Sequence, residues 1–243
     1  MSFRHSISQV VKYFRSQVSF VMTDNATQQA LNCFLPSGTH RYFAELLSRH
    51  PIVVRLSRPR RSKLGDHRAP SCGHAFHRIS INDDLNPYAF LTTLLHEIAH
   101  ATAWEKHRQR VRMIKPHGPE WKKEFEALLA PVVTGGALPV DVANALATLM
   151  RNPSATTCSD RSVVLVLNGY DTLNAGEVCV EQLPKGSVFR MNGGKIFRKG
   201  RKLRSRYQCR EWRTGREYRV HALSRVEPIV GKEKVSEIFV SRK

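Results

Sequence analysis

Apolar residues recur at helical spacing in the middle of the chain, which predicts a helix that is buried on most sides. Asn86 can cap its first turn, and Pro87 fits there because first-turn N–H groups have no partner inside a helix. The apolar positions are Phe90, Leu91, Leu94, Leu95 and Ile98. We expect this helix to organise the first domain.

Other patterns extend that domain on both sides. Residues 1–34 carry weak helical patterns, and a helix is predicted over Arg41–His50, where Pro51 ends it. Alternation predicts two strands that we expect to pair, Ile52–Ser57 and His77–Asn82. Two more amphipathic helices follow, Glu120–Ala130 and Pro139–Met150. The sequence therefore predicts an α+β domain over residues 1–150, with several helices and a small edge sheet.

The pattern changes after residue 150. Residues 151–160 are rich in turn-forming residues and predict a linker. Short strands separated by turn signals follow, which predicts a small all-β, barrel-like domain over residues 161–243. The predicted strands are Ser162–Leu167, Glu177–Gln182, Ser187–Met191, Lys195–Lys199, Ser205–Trp212 and Glu217–Ala222.

Composition adds a statement about partners. The 243 residues are 41% hydrophobic, carry a net charge of +19 and have a pI of about 10.3. Such a charge favours nucleic acid as the first partner and an anionic membrane surface as the second. No uncharged apolar run is long enough to span a bilayer, so we expect no membrane insertion. The oligomeric state cannot be read from the sequence.

The five cysteines are an odd number without a short pairing motif. This is typical of free thiols in a reducing compartment. We expect a cytoplasmic protein, associated with the nucleoid if it binds DNA.

Candidate chemistry lies on the central helix. His96 and His100 are four residues apart, so their imidazoles lie on one helix face and can bind one Zn²⁺ ion. Glu97 between them can act as general base toward a water molecule on that metal. The alternative is a core helix that carries two hydrogen-bonded histidines.

A zinc site of this kind needs a third ligand. His107 would lie about 10 Å beyond His100 along a continuous helix, which is too far. Glu120 and Glu124 on the following helix are carboxylate candidates. We prefer His117, because prolines and glycine around it would hold it just before that helix.

These motifs resemble a known family. His96–His100 followed by Pro116–Trp121 resembles the SprT-like zinc metalloproteases, which include the Spartan proteases, and Lys63–Asp66 and His77–Asn82 resemble strands of the same domain. The resemblance covers about residues 35–130, and the remainder is more weakly similar to Bacteroidetes-type SprT-like proteins. It implies a zincin-like fold, one catalytic zinc and protein substrates bound or crosslinked to DNA, hence a role in DNA–protein crosslink repair. It also implies that Glu97 is the catalytic base and that the zinc ligands are His96, His100 and His117.

One departure from part of that family concerns the C-terminal region. Many SprT-like proteins carry a zinc ribbon of paired cysteines, but Cys158, Cys179 and Cys209 stand apart here and no C-x-x-C motif exists. A role as DNA reader would therefore fall to the basic β domain.

Basic residues cluster in two places. Fourteen Lys/Arg and two Glu lie between residues 185 and 225, a local net charge of +12, with aromatic residues interleaved. Such a surface can bind single-stranded nucleic acid, although aromatic residues in a small barrel are more often core. A second cluster follows the first predicted strand, where the alternative is a solvated loop. The candidate contacts are Arg58, Arg60, Arg61, Lys63, Arg198, Lys199, Arg201, Lys202, Arg204 and Arg206.

Two further features concern a sheet edge and a possible second metal site. Pro59 indicates that the strand Ile52–Ser57 lies at a sheet edge or ends there, and an extended peptide can add to an edge strand by β-augmentation. Cys72, His74 and His77 are spaced for a metal but lack a fourth ligand, so a hairpin loop is favoured.

Three functions remain open. The preferred one is a zinc metalloendopeptidase acting on DNA-bound proteins. The alternatives are a broad metallopeptidase and a nucleic-acid-binding module with a non-catalytic zinc site. Glu97 speaks against the last of these, because a structural zinc site needs no base.

Overall fold

The chain divides into two structural units, Met1–Asp171 and Thr172–Lys243. A computed structural model describes residues 25–60, 63–109, 115–151, 160–171, 176–191 and 193–229. The first unit mixes helices with a small sheet, and the second is a larger antiparallel sheet. The predicted α+β class is therefore confirmed at this level.

The first unit contains six α-helices, a 3-10 helix (Ser37–Thr39) and three strands within its described residues. The helices are α1 Asn25–Asn32, α2 His40–Ser48, α3 Pro87–His107, α4 Pro119–Thr134, α5 Val140–Arg151 and α6 Arg161–Asn168. The strands are β1 Ile52–Ser57, β2 Gly65–Arg68 and β3 His77–Asn82.

The central helix forms as the apolar pattern predicts. The Asn86 side chain accepts hydrogen bonds from the backbone N–H groups of Tyr88 and Ala89, at 3.1 and 3.0 Å, and Pro87 begins α3. Each of the five apolar residues named for this helix is 0% exposed. Trp121 and Phe125 on α4 belong to the same hydrophobic cluster. The core of the first unit therefore surrounds α3.

The small sheet has the order β1-β3-β2. β1 runs parallel to β3, which confirms the predicted pairing of those strands, and β2 pairs antiparallel with the other side of β3. Only the family resemblance pointed to β2. The sheet consequently has two edge strands, and β2 contacts α3.

The prediction of a strand over Ser162–Leu167 is wrong, because these residues lie in α6. The Asp160 side chain caps that helix by accepting from the backbone N–H groups of Ser162 and Val163. Val163 and Leu167, four residues apart, are buried, and Asn86 Nδ2 donates to the Leu167 carbonyl at 2.9 Å. The second unit therefore begins after Asp171 and not at residue 161, and most of the predicted linker lies outside the described residues.

The second unit is a six-stranded antiparallel sheet in the order β4-β9-β5-β6-β7-β8. Its strands are β4 Val178–Cys179, β5 Val188–Arg190, β6 Ile196–Lys202, β7 Arg206–Glu211, β8 Glu217–His221 and β9 Arg225–Pro228. β4 is much shorter than predicted because Val180–Gln182 forms a 3-10 turn, and β9 was not predicted. β4 and β8 end the described order, so closure into a barrel stays a prediction.

Three of the interleaved aromatic residues in this unit are core residues. Phe189, Phe197 and Tyr207 are buried in its hydrophobic cluster. They are therefore not stacking platforms for bases, and the core-residue alternative is correct for them. Tyr218 is 36% exposed.

Two smaller predictions can be compared with the described residues. Four cysteines, Cys33, Cys72, Cys179 and Cys209, are free thiols there, and Cys158 lies outside the described part. In the part of the chain that the structure describes, no helix has the length and apolarity needed to cross a bilayer.

Candidate metal centre

Three imidazoles converge at one point of the first unit. α3 places His96 and His100 on one face, and His117 lies just before α4. His117 Nε2 lies 3.1 Å from Nε2 of His96 and 3.1 Å from Nε2 of His100. The three ligand atoms all lie within 4.8 Å of one another.

The backbone at His117 has an unusual conformation. Its φ is +59°, the one positive φ of a non-glycine residue in the described ranges. A turn in which the Gly118 N–H donates to the Lys115 carbonyl at 2.9 Å surrounds it. Positive φ costs of the order of 1–3 kcal/mol for such a residue and is typical of functional sites. The strained turn is what brings the imidazole back to α3.

The other proposed third ligands lie elsewhere. Glu124 is held by Lys106, whose ammonium lies 2.8 Å from both carboxylate oxygens. In the described part of the chain neither Glu120 nor His107 belongs to the histidine group. The preference for His117 over these residues is therefore supported by geometry.

Trp121 forms the wall behind the three histidines. Its ring centroid lies 4.7 Å from that of His96, 5.5 Å from that of His100 and 4.8 Å from that of His117. Its Nε1–H donates to the His96 carbonyl at 3.3 Å. The sequence placed Trp121 in the family-like segment Pro116–Trp121 and on the apolar face of an amphipathic helix. Its contact with all three imidazoles is a finding of the structure.

Burial keeps these histidines neutral. Desolvation, together with the neighbouring imidazoles, lowers the pKa of His96 to about 3 and that of His100 to about 4. Burial lowers the pKa of His117 as well. Neutral imidazole is the form that binds a metal, because its nitrogen lone pair is then available.

The arrangement fits a zinc ion. Three histidine ligands with Zn–N distances of about 2.0–2.1 Å in a tetrahedron would separate the nitrogen atoms by about 3.3 Å. The two observed separations of 3.1 Å are close to that value. Imidazole ligands also suit copper, iron and nickel, so the donor set defines a transition-metal site without selecting the metal.

Glu97 lies beside this group under a tightly packed strand. Its side chain is buried, and a Cβ atom added to Gly65 on β2 would lie 2.4 Å from Glu97 Oε1. Burial, with a smaller effect of nearby Asp66, raises the pKa of Glu97 to about 7 against the opposing effects of Arg60 and Lys63. A carboxyl group with a pKa near neutrality can both accept and return a proton.

The spaced residues Cys72, His74 and His77 do not form a second centre. Ser71 and His74 exchange two backbone hydrogen bonds, of 3.0 and 2.8 Å, which makes the hairpin loop that was favoured. Cys72 and His74 are exposed, whereas His77 is buried on β3.

The basic cluster after β1 is partly internal. Arg60 donates through Nε to Asn82 Oδ1 at 2.8 Å and through its terminal nitrogens to Oγ and O of Ser80, at 2.9 and 3.0 Å. These bonds hold half-buried Arg60 against β3, and its assignment as a nucleic-acid contact stays a prediction. Lys63 pairs with Asp66 at 2.6 Å, Arg58 is exposed, and Arg61 lies outside the described residues.

The assignment of Lys199 as a nucleic-acid contact is corrected. It is only 4% exposed, its ammonium donates to the carbonyls of Glu181 and Leu183, and it lies 4.0 Å from the ring centroid of Tyr207. A buried cation held in this way cannot contact a nucleic-acid backbone. The other candidates of this unit are exposed: Arg198, Arg201, Lys202, Arg204 and Arg206.

Exposed arginines gather on the outer face of the second sheet. Arg198 on β6 and Arg210 on β7 are direct cross-strand partners, and Arg219 on β8 is exposed on the same face. Like charges directly opposite each other destabilise a sheet. Arg210 and Arg219 were not among the predicted contacts, because only the strand register brings them beside Arg198.

Comparison with known proteins bears on the first unit. Residues 31–143 match the SprT-like family, a stretch just under half of the chain that includes α3 and His117. No curated protein and no solved structure matches the chain significantly. The similarity to Bacteroidetes-type proteins stays a prediction.

Proposed function

We propose, on the premise that residues 31–143 belong to the SprT-like family, that this protein is a zinc-dependent metalloendopeptidase. The observation that carries the proposal is the convergence of three neutral imidazoles beside a buried carboxyl group of raised pKa. A metal held for structural purposes alone would not need Glu97.

The residues divide the chemistry between them. His96, His100 and His117 would hold the ion, and Zn²⁺ bound there would act as a Lewis acid that activates water at neutral pH. Glu97 accepts a proton from the attacking water as its oxygen bonds to the scissile carbonyl carbon. Glu97 then gives that proton to the amide nitrogen as the C–N bond breaks, which leaves a carboxylic acid and an amine.

The substrate would be an extended peptide beside β2. The sequence pointed to β1 as the edge strand for β-augmentation, but β2 is the edge strand in contact with α3 and next to Glu97. A peptide paired with β2 would present its amide groups to that carboxyl group. We therefore assign peptide binding to β2 instead of β1.

We also propose that the substrates are proteins bound or crosslinked to DNA. The exposed arginines on the outer face of the second sheet support an anionic partner: Arg198 and Arg210 are direct cross-strand partners of like charge, although Arg210 also faces Glu217 on β8. DNA would then bring the enzyme to its substrates. A cytoplasmic, nucleoid-associated location follows from this proposal.

The test is proteolysis of a basic DNA-bound protein, with and without single-stranded DNA, by wild type and Glu97→Gln. We expect DNA-dependent cleavage that the variant loses while it retains zinc. Cleavage that survives Glu97→Gln would contradict the mechanism. DNA binding without cleavage in any sample would support the nucleic-acid-binding module, and cleavage of free peptides without DNA would support the broad metallopeptidase.

A further inference from the structure

A polar network, consisting of His67, His77, Glu105 and His50, extends away from the candidate metal centre. His67 Nε2 lies 2.8 Å from His77 Nδ1. His77 Nε2 lies 3.6 Å from Glu105 Oε1, and Glu105 Oε2 lies 2.7 Å from His50 Nδ1. His67 lies on β2, His77 on β3 and Glu105 on α3, and His50 lies between α2 and β1.

The network ends against one of the three converging histidines. The ring of His67 lies nearly parallel to that of His100, with an interplanar angle of 10° and 5.9 Å between centroids. Gly65 and His67 are two residues apart on β2, so they share a strand face, and Gly65 approaches Glu97. One face of β2 therefore meets both the proposed base and a proposed ligand.

The carboxylate sets the direction of the hydrogen bonds. Glu105 Oε1 lies 3.6 Å from His77 Nε2, beyond hydrogen-bond range, but its negative charge favours a proton on that nitrogen, which leaves His77 Nδ1 as an acceptor. His67 Nε2–H must then be the donor between the two rings. The charge of Glu105 thus favours one tautomer of His67, and the bond to His77 orients the His67 ring.

Packing alone does not explain these residues. His77 is 0% exposed, and burying imidazole groups costs free energy that apolar side chains at the same positions would not cost. Trp104 already packs edge-on against His77, with 5.1 Å between centroids. The polar side chains of the network lead from His50 to His67, whose ring lies against that of His100.

We propose that His67 is a positioning residue for His100, held in its ring plane by His77 and Glu105. The inference rests on the proposed metal site, because its effect is to keep His100 Nε2 directed at His117. His67 itself is not a ligand in this assignment: the histidine group defined by ligand-atom distances among the described residues does not include it.

The experiment measures metal binding without any proteolysis. Zn²⁺ affinity, by competition with a chromophoric chelator, and the visible absorption bands of the Co²⁺-loaded protein would be compared for wild type, His67→Ala, His67→Phe and Glu105→Ala. His74→Ala is the matched control, since His74 is an exposed histidine on the hairpin between β2 and β3.

We expect His67→Ala to weaken zinc binding by about 10- to 100-fold and to shift the Co²⁺ bands, as loss of a residue that supports a ligand does. His67→Phe keeps a ring against His100 but loses the bond to His77, so its loss should be smaller. Glu105→Ala should change affinity in the same direction, and His74→Ala should leave it unchanged.

A purely structural role predicts a different result. The inference would be overturned if His67→Ala kept wild-type zinc affinity and Co²⁺ spectrum but had a lower melting temperature. If His67→Ala does not fold, the same result in His67→Phe and Glu105→Ala would overturn it. Wild-type protein that binds neither ion would overturn the proposed function as well. Absence of proteolysis with the expected binding changes would contradict the proposed function only.

Discussion

At the scale of single residues, the strained conformation of His117 allows its effect on stability to be measured separately from its effect on metal binding. The positive φ of +59° is acceptable to glycine but not to alanine. We expect both His117→Gly and His117→Ala to lose most zinc affinity, because each removes a ligand. The glycine variant should nevertheless be more stable without metal than the alanine variant, by about 1 kcal/mol.

Urea denaturation of both variants in the presence of a chelator checks this prediction. Equal stability of the two would mean that the turn relaxes when the imidazole is lost. Unchanged metal content in either variant would remove His117 from the site.

Single residues also show what a sequence does and does not reveal. His96, Glu97 and His100 were predictable because their spacing on one helix is local information. Lys199 was misassigned because a positive charge in a sequence does not show that backbone carbonyls elsewhere surround it.

At the scale of secondary structure elements, β2 and α3 approach so closely at Gly65 that the strand constrains Glu97. A methyl group there would lie 2.4 Å from Glu97 Oε1 and 2.8 Å from Thr93 Cγ2. We expect Gly65→Ala to displace the carboxyl group and to lower peptide hydrolysis about 100-fold, since small misplacements of a catalytic group have large effects. Zinc content should remain that of wild type.

Steady-state kinetics and metal analysis of Gly65→Ala check this prediction. Arg68→Ala is the control, because Arg68 is exposed on the same strand. Full activity in Gly65→Ala would show that β2 can move away from α3 without consequence.

The elements differ in how far their own sequence specifies them. α3 carries a cap and a clear apolar periodicity, so it was predicted with its core residues. The valines and leucines of Ser162–Leu167 are compatible with a strand as well as a helix, and the Asp160 cap favours helix α6. β2 has no apolar alternation, and its place beside Glu97 depends on pairing with β3.

At the scale of the whole molecule, the net charge of +19 favours DNA binding, and the exposed arginines of the second sheet are the binding surface to test. Replacing both Arg198 and Arg210 by alanine removes a like-charge cross-strand pair and two exposed cations. We expect single-stranded DNA affinity to fall and the dependence of log K on log salt to become shallower by about 1–2. The stability of the second unit should change little, because the lost repulsion is offset by loss of the Arg210–Gly215 hydrogen bond and of the cross-strand pair between Arg210 and Glu217.

Fluorescence anisotropy across a salt series and thermal unfolding check this prediction. Lys122→Ala with Lys123→Ala, a pair of exposed cations on α4, controls for the change in net charge. Equal loss of affinity in both double variants would mean that overall charge, and not this face, attracts DNA.

The buried histidines make stability of the metal-free protein depend on pH. The pKa is lowered to about 3 in His67 and His96 and to about 4 in His100, against about 6.5 in the unfolded chain. The stability that their neutral forms provide is therefore fully present above pH 6.5 and is lost as the pH falls from about 6.5 to about 3. Urea midpoints in chelator should decrease over that range, less steeply in His67→Phe, and a flat profile would contradict the prediction.

The position of Lys199 has a practical consequence. Amine-reactive reagents modify the exposed lysines of a native protein, but an ammonium group enclosed by two carbonyls and a tyrosine ring reacts when its surroundings open. Mass spectrometry of the peptide that carries Lys199 would therefore time the opening of the second unit in the intact chain. The same label on Lys122 or Lys123 would provide an internal clock for the unhindered reaction.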